Sequence, residues 1–383
     1  MTGFDHLDRE WLHGKSGIKW SRPGADLIAA WVADMDFPIP AVVADAIREV
    51  IAGGDLGYPD LDGGNPLAAP FAERMRTRHG WDPDPGRVWA FTDVLNAVQA
   101  VLELMTQPGA GVAVHTPTYP PFLRTLETMR RRLVPIPFHS GPRGWFFDPE
   151  RAAEAFSDAE VLLLVNPHNP TGRVLTRIEL DLLAELAATH DVMVISDEVH
   201  AELLYPGHEH IPFATLSEDA ARRTITLTSA SKTFNLAGIR TAVAHVGSRT
   251  TWDALRSRPE HMWGVVGNLS VTATLAAWSG GRRWLGDLLA RLARNRSALE
   301  VRLGQELDGI RWHSPEGTYL AWLDFRALGL GDNPAVAVRQ RSRVELSPGP
   351  DFGLGGSGFA RLNFATAPNV LDEMLTRLAA GLG

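Results

Sequence analysis

The sequence predicts an α/β protein in which a mainly parallel central sheet, covered by helices, is joined to a smaller α+β domain. Three observations support this fold class. Five short apolar runs have the length and composition of buried strands, at residues 111–115, 161–165, 192–196, 224–229 and 241–246. Helical spacing of apolar residues lies between them, as at residues 178–189. After about residue 275 the pattern changes to one long amphipathic helix followed by short strands.

These patterns also suggest how the chain is divided. Strands that are apolar on both faces and separated by helices are typical of parallel sheets buried on both sides. We therefore expect a large domain over residues 48–274. Residues 1–47 and 275–383 would form an N-terminal arm and the smaller domain, with a helix at 282–307, strands at 319–325 and 359–364, and a closing helix from Val370.

Composition excludes several classes of function. The 383-residue chain has a net charge of −8 and a pI near 5.9, so we expect no nucleic-acid partner and no anionic membrane partner. It contains no cysteine, which excludes disulfides, thiolate metal sites and cysteine nucleophiles. No apolar run approaches the ~20 residues that span a bilayer. The first 20 residues do not resemble a secretory signal, so the cytoplasm is the expected location.

The distribution of lysine singles out one residue. Lysine occurs only at positions 15, 19 and 232, whereas every other basic side chain is Arg or His. Lys232 lies among small polar residues in the sequence Ser229-Ala230-Ser231-Lys232-Thr233. Schiff-base chemistry needs an amine, since a guanidinium stays protonated and is a poor nucleophile. The sequence therefore predicts a chemical role for Lys232.

Polar residues follow four of the predicted strands. Tyr119 comes after the first, the turn at 166–172 after the second, Asp197 at the end of the third and Lys232 after the fourth. Ligands bind at the carboxyl ends of the strands in such sheets. Two Asn-Pro steps restrict the turn at 166–172, which either holds an Asn amide towards a ligand or simply leads into a helix.

Charged residues near these strand ends suit a phosphorylated cofactor. Asp197 needs a cation or donor if it lies in a cleft, and a protonated pyridine nitrogen would serve, although Asp also caps helices. Arg240 follows Lys232 by eight residues and could bind a phosphate. Residues 92–96 precede a predicted helix at 97–105, whose N-terminal amides could bind an anion, and Asp93 could cap it. Together these groups supply what pyridoxal chemistry requires. The histidines and glutamates at 200–210 match no metal-ligand spacing, so we expect no metal.

With these residues the chain resembles the fold-type I pyridoxal-phosphate enzymes of the aspartate aminotransferase superfamily, over nearly its whole length. The motifs Trp31-Val32-Ala33-Asp34-Met35-Asp36-Phe37 and Ser196-Asp197-Glu198-Val199-His200 look like the cystathionine β-lyase branch, the bacterial C–S lyases.

The resemblance implies a role for each matching position. Lys232 would hold the cofactor as a Schiff base and shuttle the proton, and Asp197 would pair with the pyridine nitrogen. Asn169 and His200 would face the phenolic oxygen, and Tyr119 would stack on the ring. The phosphate would be held by Ser229, Ser231, Arg240, the amides of Val94 and Leu95, and Tyr58 of a neighbouring subunit. This last contact implies a homodimer. Arg361 would bind the α-carboxylate of the substrate.

The chain departs from the branch at two positions. Asp93 stands where glycine usually precedes the phosphate-binding amides, and the segment Val94-Leu95-Asn96 lacks the usual proline. The resemblance implies β-elimination of cystathionine or a cysteine S-conjugate to pyruvate, ammonia and a thiol, with the natural thiol left open. Two alternatives also stay open, namely an aminotransferase and a protein whose main role is to bind a regulator.

Overall fold

A computed structural model describes residues 3–57 and 64–383 of the chain. Its strands are β1 (Ile28–Ala29), β2 (Val88–Phe91), β3 (Gly111–Thr116), β4 (Arg132–Gly141), β5 (Gly144–Phe147), β6 (Val161–Val165), β7 (Met193–Asp197), β8 (Thr224–Thr228), β9 (Ala242–Val246), β10 (Arg311–Trp312), β11 (Leu320–Asp324), β12 (Val344–Glu345), β13 (Ser347–Pro348) and β14 (Phe359–Asn363).

The α-helices cover both faces of the largest sheet. They are α1 (Arg9–His13), α2 (Ile18–Ser21), α3 (Ala41–Gly53), α4 (Ala68–His79), α5 (Val94–Met105), α6 (Pro120–Thr128), α7 (Pro149–Ser157), α8 (Arg177–Thr189), α9 (Glu218–Arg223), α10 (Ala230–Thr233), α11 (Arg249–Arg256), α12 (Asn268–Gly280), α13 (Arg282–Glu306), α14 (Pro334–Ser342) and α15 (Pro368–Leu382). None of the described helices is long and apolar enough to cross a membrane.

An eight-stranded sheet forms the centre of the molecule, in the order β2-β9-β8-β7-β6-β3-β4-β5. Strands β8, β7, β6, β3 and β4 are parallel to one another, whereas β9 and β5 pair antiparallel with their neighbours. The residues of β6 are all buried because helices cover both faces. The predicted α/β class with a mainly parallel sheet is therefore confirmed.

The predicted elements agree closely with the observed ones. The run at 161–165 is β6, and the runs at 111–115, 192–196, 224–229 and 241–246 correspond to β3, β7, β8 and β9 with ends displaced by one residue. The helix predicted at 178–189 begins one residue earlier, where Thr176 and Glu179 form a reciprocal capping box. The helix predicted at 97–105 begins at Val94 because the Asp93 side chain caps it, accepting a hydrogen bond from Asn96 N.

The smaller α+β part packs on the long helix α13. It contains a four-stranded antiparallel sheet in the order β10-β11-β14-β13, and its apolar residues share a core with the N-terminal arm. Strand β1 of the arm pairs in parallel with β12, which ties the start of the chain to the small part. The division at 47/48 and 274/275 stays a prediction; its limits lie inside α3 and α12 respectively.

Candidate active site

A cavity of about 410 Å³ lies at the carboxyl edge of β3, β6, β7 and β8. It is lined by ten of the residues that the sequence predicts for the cofactor site: Val94, Leu95, Tyr119, Asn169, Asp197, His200, Ser229, Ser231, Lys232 and Arg240. Adjacent parallel strands bring these distant segments together because their carboxyl ends share one edge. Arg361 lies beside the cavity through its hydrogen bond to Asn169. Tyr58 lies outside the described residues.

Lys232 occupies the short helix α10 immediately after β8. The Ser229 side chain caps this helix by accepting from Ser231 N at 3.0 Å. The Lys232 Nζ donates to the carbonyl of Ala33 at 2.9 Å. Burial lowers the pKa of this amine, an effect that nearby Asp34 opposes and Arg361 reinforces. A lower pKa leaves a larger fraction of Lys232 unprotonated near neutral pH than of an exposed lysine, and only the unprotonated amine can act as a nucleophile or accept a proton.

Asp197 ends β7 and is 5 % exposed. Its Oδ1 accepts a hydrogen bond from Val199 N at 3.1 Å. Burial raises the pKa of this carboxyl to about 7, whereas the Val199 bond and the Lys232 charge both act to lower it. A buried carboxylate of this kind is stabilised by a cationic partner inside the cavity. A protonated ring nitrogen fits that requirement.

The N-terminus of α5 lines the end of the cavity where the sequence predicts the phosphate. The amide of Asn96 is taken by Asp93 Oδ1 at 2.8 Å, so the first-turn amides that can face a ligand are those of Val94 and Leu95. The other oxygen of Asp93 forms an ion pair with Arg240, which is exposed. The phosphate-binding role of these groups stays a prediction. The carboxylate of Asp93 offsets part of the positive charge that would attract a phosphate.

Three polar side-chain groups near the N-terminus of α5 differ in their hydrogen bonds. The Ser229 hydroxyl donates to the carbonyl of Thr241, so its proton is already used. Within the described residues, the buried Thr241 Oγ1 and Asn96 Oδ1 have no hydrogen-bond partner. A ligand with several oxygens and an exchangeable proton would satisfy such groups.

Arg361 lies on β14 and is 4 % exposed. Its Nη1 donates to Asn169 Oδ1 at 2.9 Å. Its Nη2 donates to the carbonyl of Trp31 at 2.8 Å and to Ser347 Oγ at 3.1 Å. The guanidinium lies over the ring of Phe352 at 5.0 Å. Burial lowers its pKa to about 10, so the group is still cationic near neutral pH, and its hydrogen bonds hold the guanidinium in one orientation.

Two aromatic side chains complete the predicted set. Burial lowers the pKa of His200 to about 3, with smaller contributions from Lys232 and Arg361, so its imidazole is neutral. Its Nδ1 is buried without a partner among the described residues. Tyr119 precedes α6 and contacts Phe122 edge to face at 5.3 Å. Burial raises the pKa of its phenol, which stays protonated.

These groups fit pyridoxal phosphate at three separate points. Lys232 supplies a buried amine, Asp197 a carboxylate in need of a cation, and α5 free amides for an anion. The fold and the site together define a pyridoxal-phosphate-dependent enzyme.

Comparison with known proteins agrees with that class. The model of the family "Aminotransferase class I and II" matches residues 32–378. The chain is 34 % identical to cystathionine beta-lyase PatB of Bacillus subtilis (strain 168), covering 98 % of each chain. It is 33 % identical to a cystathionine beta-lyase of Corynebacterium glutamicum, covering 97 % of this chain and 98 % of the other. A PLP-bound C-S lyase from Staphylococcus hominis superposes with a TM-score of 0.91 at 27 % identity, covering 100 % and 99 %. The chain belongs to the aminotransferase class I and II family.

Sequence patterns assigned no individual role to several further residues around the cavity. Ala33, Thr92, Asn96, Gln99 and Thr241 line it as well. Asn96 and Gln99 lie three residues apart on α5, and this spacing on a helix that begins at a predicted anion site could have indicated them. Of the polar cluster at 200–210, His210 is hydrogen-bonded to Glu198, and Glu202 accepts from Arg74. No described group of three such residues is arranged for a metal ion.

Proposed function

We propose that the protein is a pyridoxal-phosphate-dependent C–S lyase that converts cystathionine or a cysteine S-conjugate to pyruvate, ammonia and a thiol. The observation that carries this proposal is the placement of Lys232, Asp197 and the Arg361–Asn169 pair around one cavity. The names of relatives aligned over almost the whole chain support elimination as the reaction.

Arg361 and Asn169 would bind and orient the amino acid. The guanidinium attracts the α-carboxylate, and its contacts with Asn169, Trp31 and Ser347 hold it in one orientation. Because Asn169 uses its oxygen to accept from Arg361, its amide nitrogen is left to donate to a ligand oxygen. Substrate binding would therefore fix Cα relative to Lys232.

Asp197 would hold a proton on the ring nitrogen of the cofactor. Pyridoxal phosphate, when bound, supplies the electron-withdrawing ring that accepts the electron pair left at Cα. Asp197 stabilises that protonated nitrogen as a carboxylate, and the cation in turn relieves the cost of burying Asp197. Amides of Val94 and Leu95 with Arg240 would hold the phosphate.

Lys232 would move the proton. Its neutral amine accepts the proton from Cα of the bound amino acid. The Cβ–S bond then breaks, and the sulfur leaves with the bonding electron pair as a thiolate, which is protonated to the thiol. Addition of water to the remaining three-carbon unit releases pyruvate and ammonia.

An aminotransferase is the second candidate, and the family description is the observation that favours it. The residues that bind the carboxylate and remove the Cα proton serve both reactions. The two reactions would differ in whether the amino group is kept for transfer to a keto acid or the sulfur leaves from Cβ after Lys232 has taken the Cα proton.

We infer a homodimer in which Tyr58 reaches the phosphate of the partner subunit. Exposed apolar side chains in two segments support the dimer, namely Ile51 and Leu56 in the first and Met262 and Val265 in the second. The two segments lie close together, since Asn268, just after the second, donates a hydrogen bond to the carbonyl of Gly57 at the end of the first. Light scattering after size-exclusion chromatography would give twice the chain mass. The cytoplasm remains the expected location.

The direct test is incubation with cystathionine and with a model cysteine S-conjugate, without any added keto acid. Equal amounts of pyruvate, ammonia and thiol over many turnovers are expected. Loss of the amino group to the cofactor, with turnover only when a keto acid is supplied, would assign an aminotransferase instead.

A further inference from the structure

Residues 31–37 form a segment without regular secondary structure at the edge of the cavity. Each of its seven carbonyls accepts a hydrogen bond from a side chain. The donors are Arg361 and Ser347 to Trp31, Asn363 to Val32, Lys232 and Tyr319 to Ala33, Lys19 and Asn363 to Asp34, Asn235 to Met35 and Phe37, and Lys15 to Asp36. Side chains from remote parts of the chain thus fix the position of this segment.

The carbonyl of Ala33 connects the segment to the reactive lysine. It accepts from Lys232 Nζ at 2.9 Å and from Tyr319 Oη at 2.7 Å. Tyr319 is 1 % exposed and directly precedes β11, so packing fixes its hydroxyl. Burial raises the pKa of the phenol well above its ordinary value, and it stays a donor.

We propose that Tyr319 is a positioning residue that orients the Lys232 amine through the carbonyl of Ala33. This inference rests on the proposed role of Lys232 in removing the Cα proton. An amine that donates one hydrogen to a fixed carbonyl has its lone pair turned away from that carbonyl. Tyr319 holds the carbonyl in place, and so limits the directions in which Lys232 can accept a proton.

The hydroxyl of Tyr319 should also affect how tightly the cofactor binds to Lys232. A lysine nitrogen bonded to pyridoxal phosphate would carry at most one hydrogen, so Tyr319 would be the side-chain donor to this carbonyl, among the described residues, that the bond leaves unaffected. A buried carbonyl that loses its donors is costly. Removal of the Tyr319 hydroxyl should therefore weaken cofactor binding as well as slow proton transfer.

The test compares Tyr319→Phe with Tyr205→Phe. Tyr205 is a matched control, since its buried hydroxyl donates to the neighbouring carbonyl of Thr318 at 2.8 Å and does not contact Lys232. In Tyr319→Phe we expect the Kd for pyridoxal phosphate, from absorbance titration, to rise about three- to tenfold. We expect kcat for elimination to fall by a similar factor with KM unchanged, and the isotope effect of Cα-deuterated substrate to increase. Tyr205→Phe should change none of these quantities.

Exchange of the Cα proton of L-alanine with D₂O, followed by NMR, separates this inference from the proposed function. Alanine has no leaving group, so exchange reports Lys232 whether the enzyme is a lyase or an aminotransferase. Slower exchange in Tyr319→Phe alone would support the positioning role even if wild-type protein eliminates no thiol. Equal Kd, exchange rate and isotope effect in Tyr319→Phe and wild type would overturn it.

Discussion

The carboxylate of Asp93 forms an ion pair with the guanidinium of Arg240 at the N-terminus of α5. The same carboxylate caps that helix through Asn96 N. One acidic side chain therefore shapes the helix end and offsets the positive charge at the predicted phosphate site. This pair of contacts has a measurable consequence for the binding of a phosphate.

Asp93→Asn should tighten pyridoxal phosphate binding about three- to tenfold at low salt, because one negative charge is removed from beside the phosphate while a capping side chain is retained. The gain should shrink at high ionic strength. Absorbance titration gives the Kd. The control is Asp148→Asn, since Asp148 caps α7 by accepting from Glu150 N at 2.9 Å and lies away from the cavity. Weaker binding by Asp93→Asn would mean that the carboxylate is needed to orient Arg240.

Asp197 should make the stability of the cofactor-free protein depend on pH. Its pKa is about 7 in the folded protein against 3.8 ordinarily, so the folded state binds more protons between these values and stability falls as pH rises through them. Asp197→Asn should remove this loss and be more stable than wild type at about pH 8, by as much as ~4 kcal/mol, with little difference at about pH 4. Urea unfolding at several pH values measures it.

A control with the opposite sign is available for that experiment. The hydrogen bond from Arg223 lowers the pKa of Asp219, so Asp219 contributes stability that is lost as pH falls. Asp219→Asn should therefore gain nothing at high pH. If the free energy of unfolding varied with pH in the same way for wild type and Asp197→Asn, burial would not raise the pKa of the Asp197 carboxyl.

The strand ends of the site could be predicted from local sequence. Lys232 and Asp197 follow apolar runs whose boundaries the pattern places within about one residue, and parallel topology then brings them together. The helix predicted at 97–105 was too short at its start, since the Asp93 side chain and not an apolar residue sets that end. Side-chain capping of this kind is invisible to hydrophobic periodicity.

The contacts of residues 31–37 could not be predicted, because most of their partners are distant in sequence. Asn235 and Asn363 each hold two of these carbonyls from positions 198–331 residues away. The scarcity of lysine singled out Lys232, which lines the cavity, and its chemical role stays a prediction. Yet Lys15 and Lys19 also donate to carbonyls of this segment, so all three lysines hold it.

Arg361→Lys should raise KM about 10- to 100-fold, because an ammonium cannot bond Asn169, Trp31, Ser347 and a carboxylate in the geometry of the guanidinium. Steady-state kinetics with an amino acid and its α-amide measure the effect. The wild-type protein should have a much lower KM for the amino acid, which carries a free α-carboxylate, than for the α-amide. The variant should lose this difference in KM. Arg326→Lys is the control, since Arg326 also lies over a phenyl ring, that of Phe359 at 4.9 Å, outside the cavity. An unchanged preference in Arg361→Lys would remove Arg361 from the carboxylate site.

The central claim, that Lys232 bonds pyridoxal phosphate, is tested most directly by borohydride reduction of the loaded protein and mass spectrometry of its peptides. Lys15 is the chemical competitor, since burial lowers its pKa to about 8. We predict one pyridoxyl phosphate per chain, on the peptide that contains residue 232, and none on the peptides of Lys15 and Lys19. Lys232→Arg should give no labelled peptide. Label at Lys15 or Lys19, or an unlabelled Lys232 in protein that shows the cofactor's absorbance, would contradict the account.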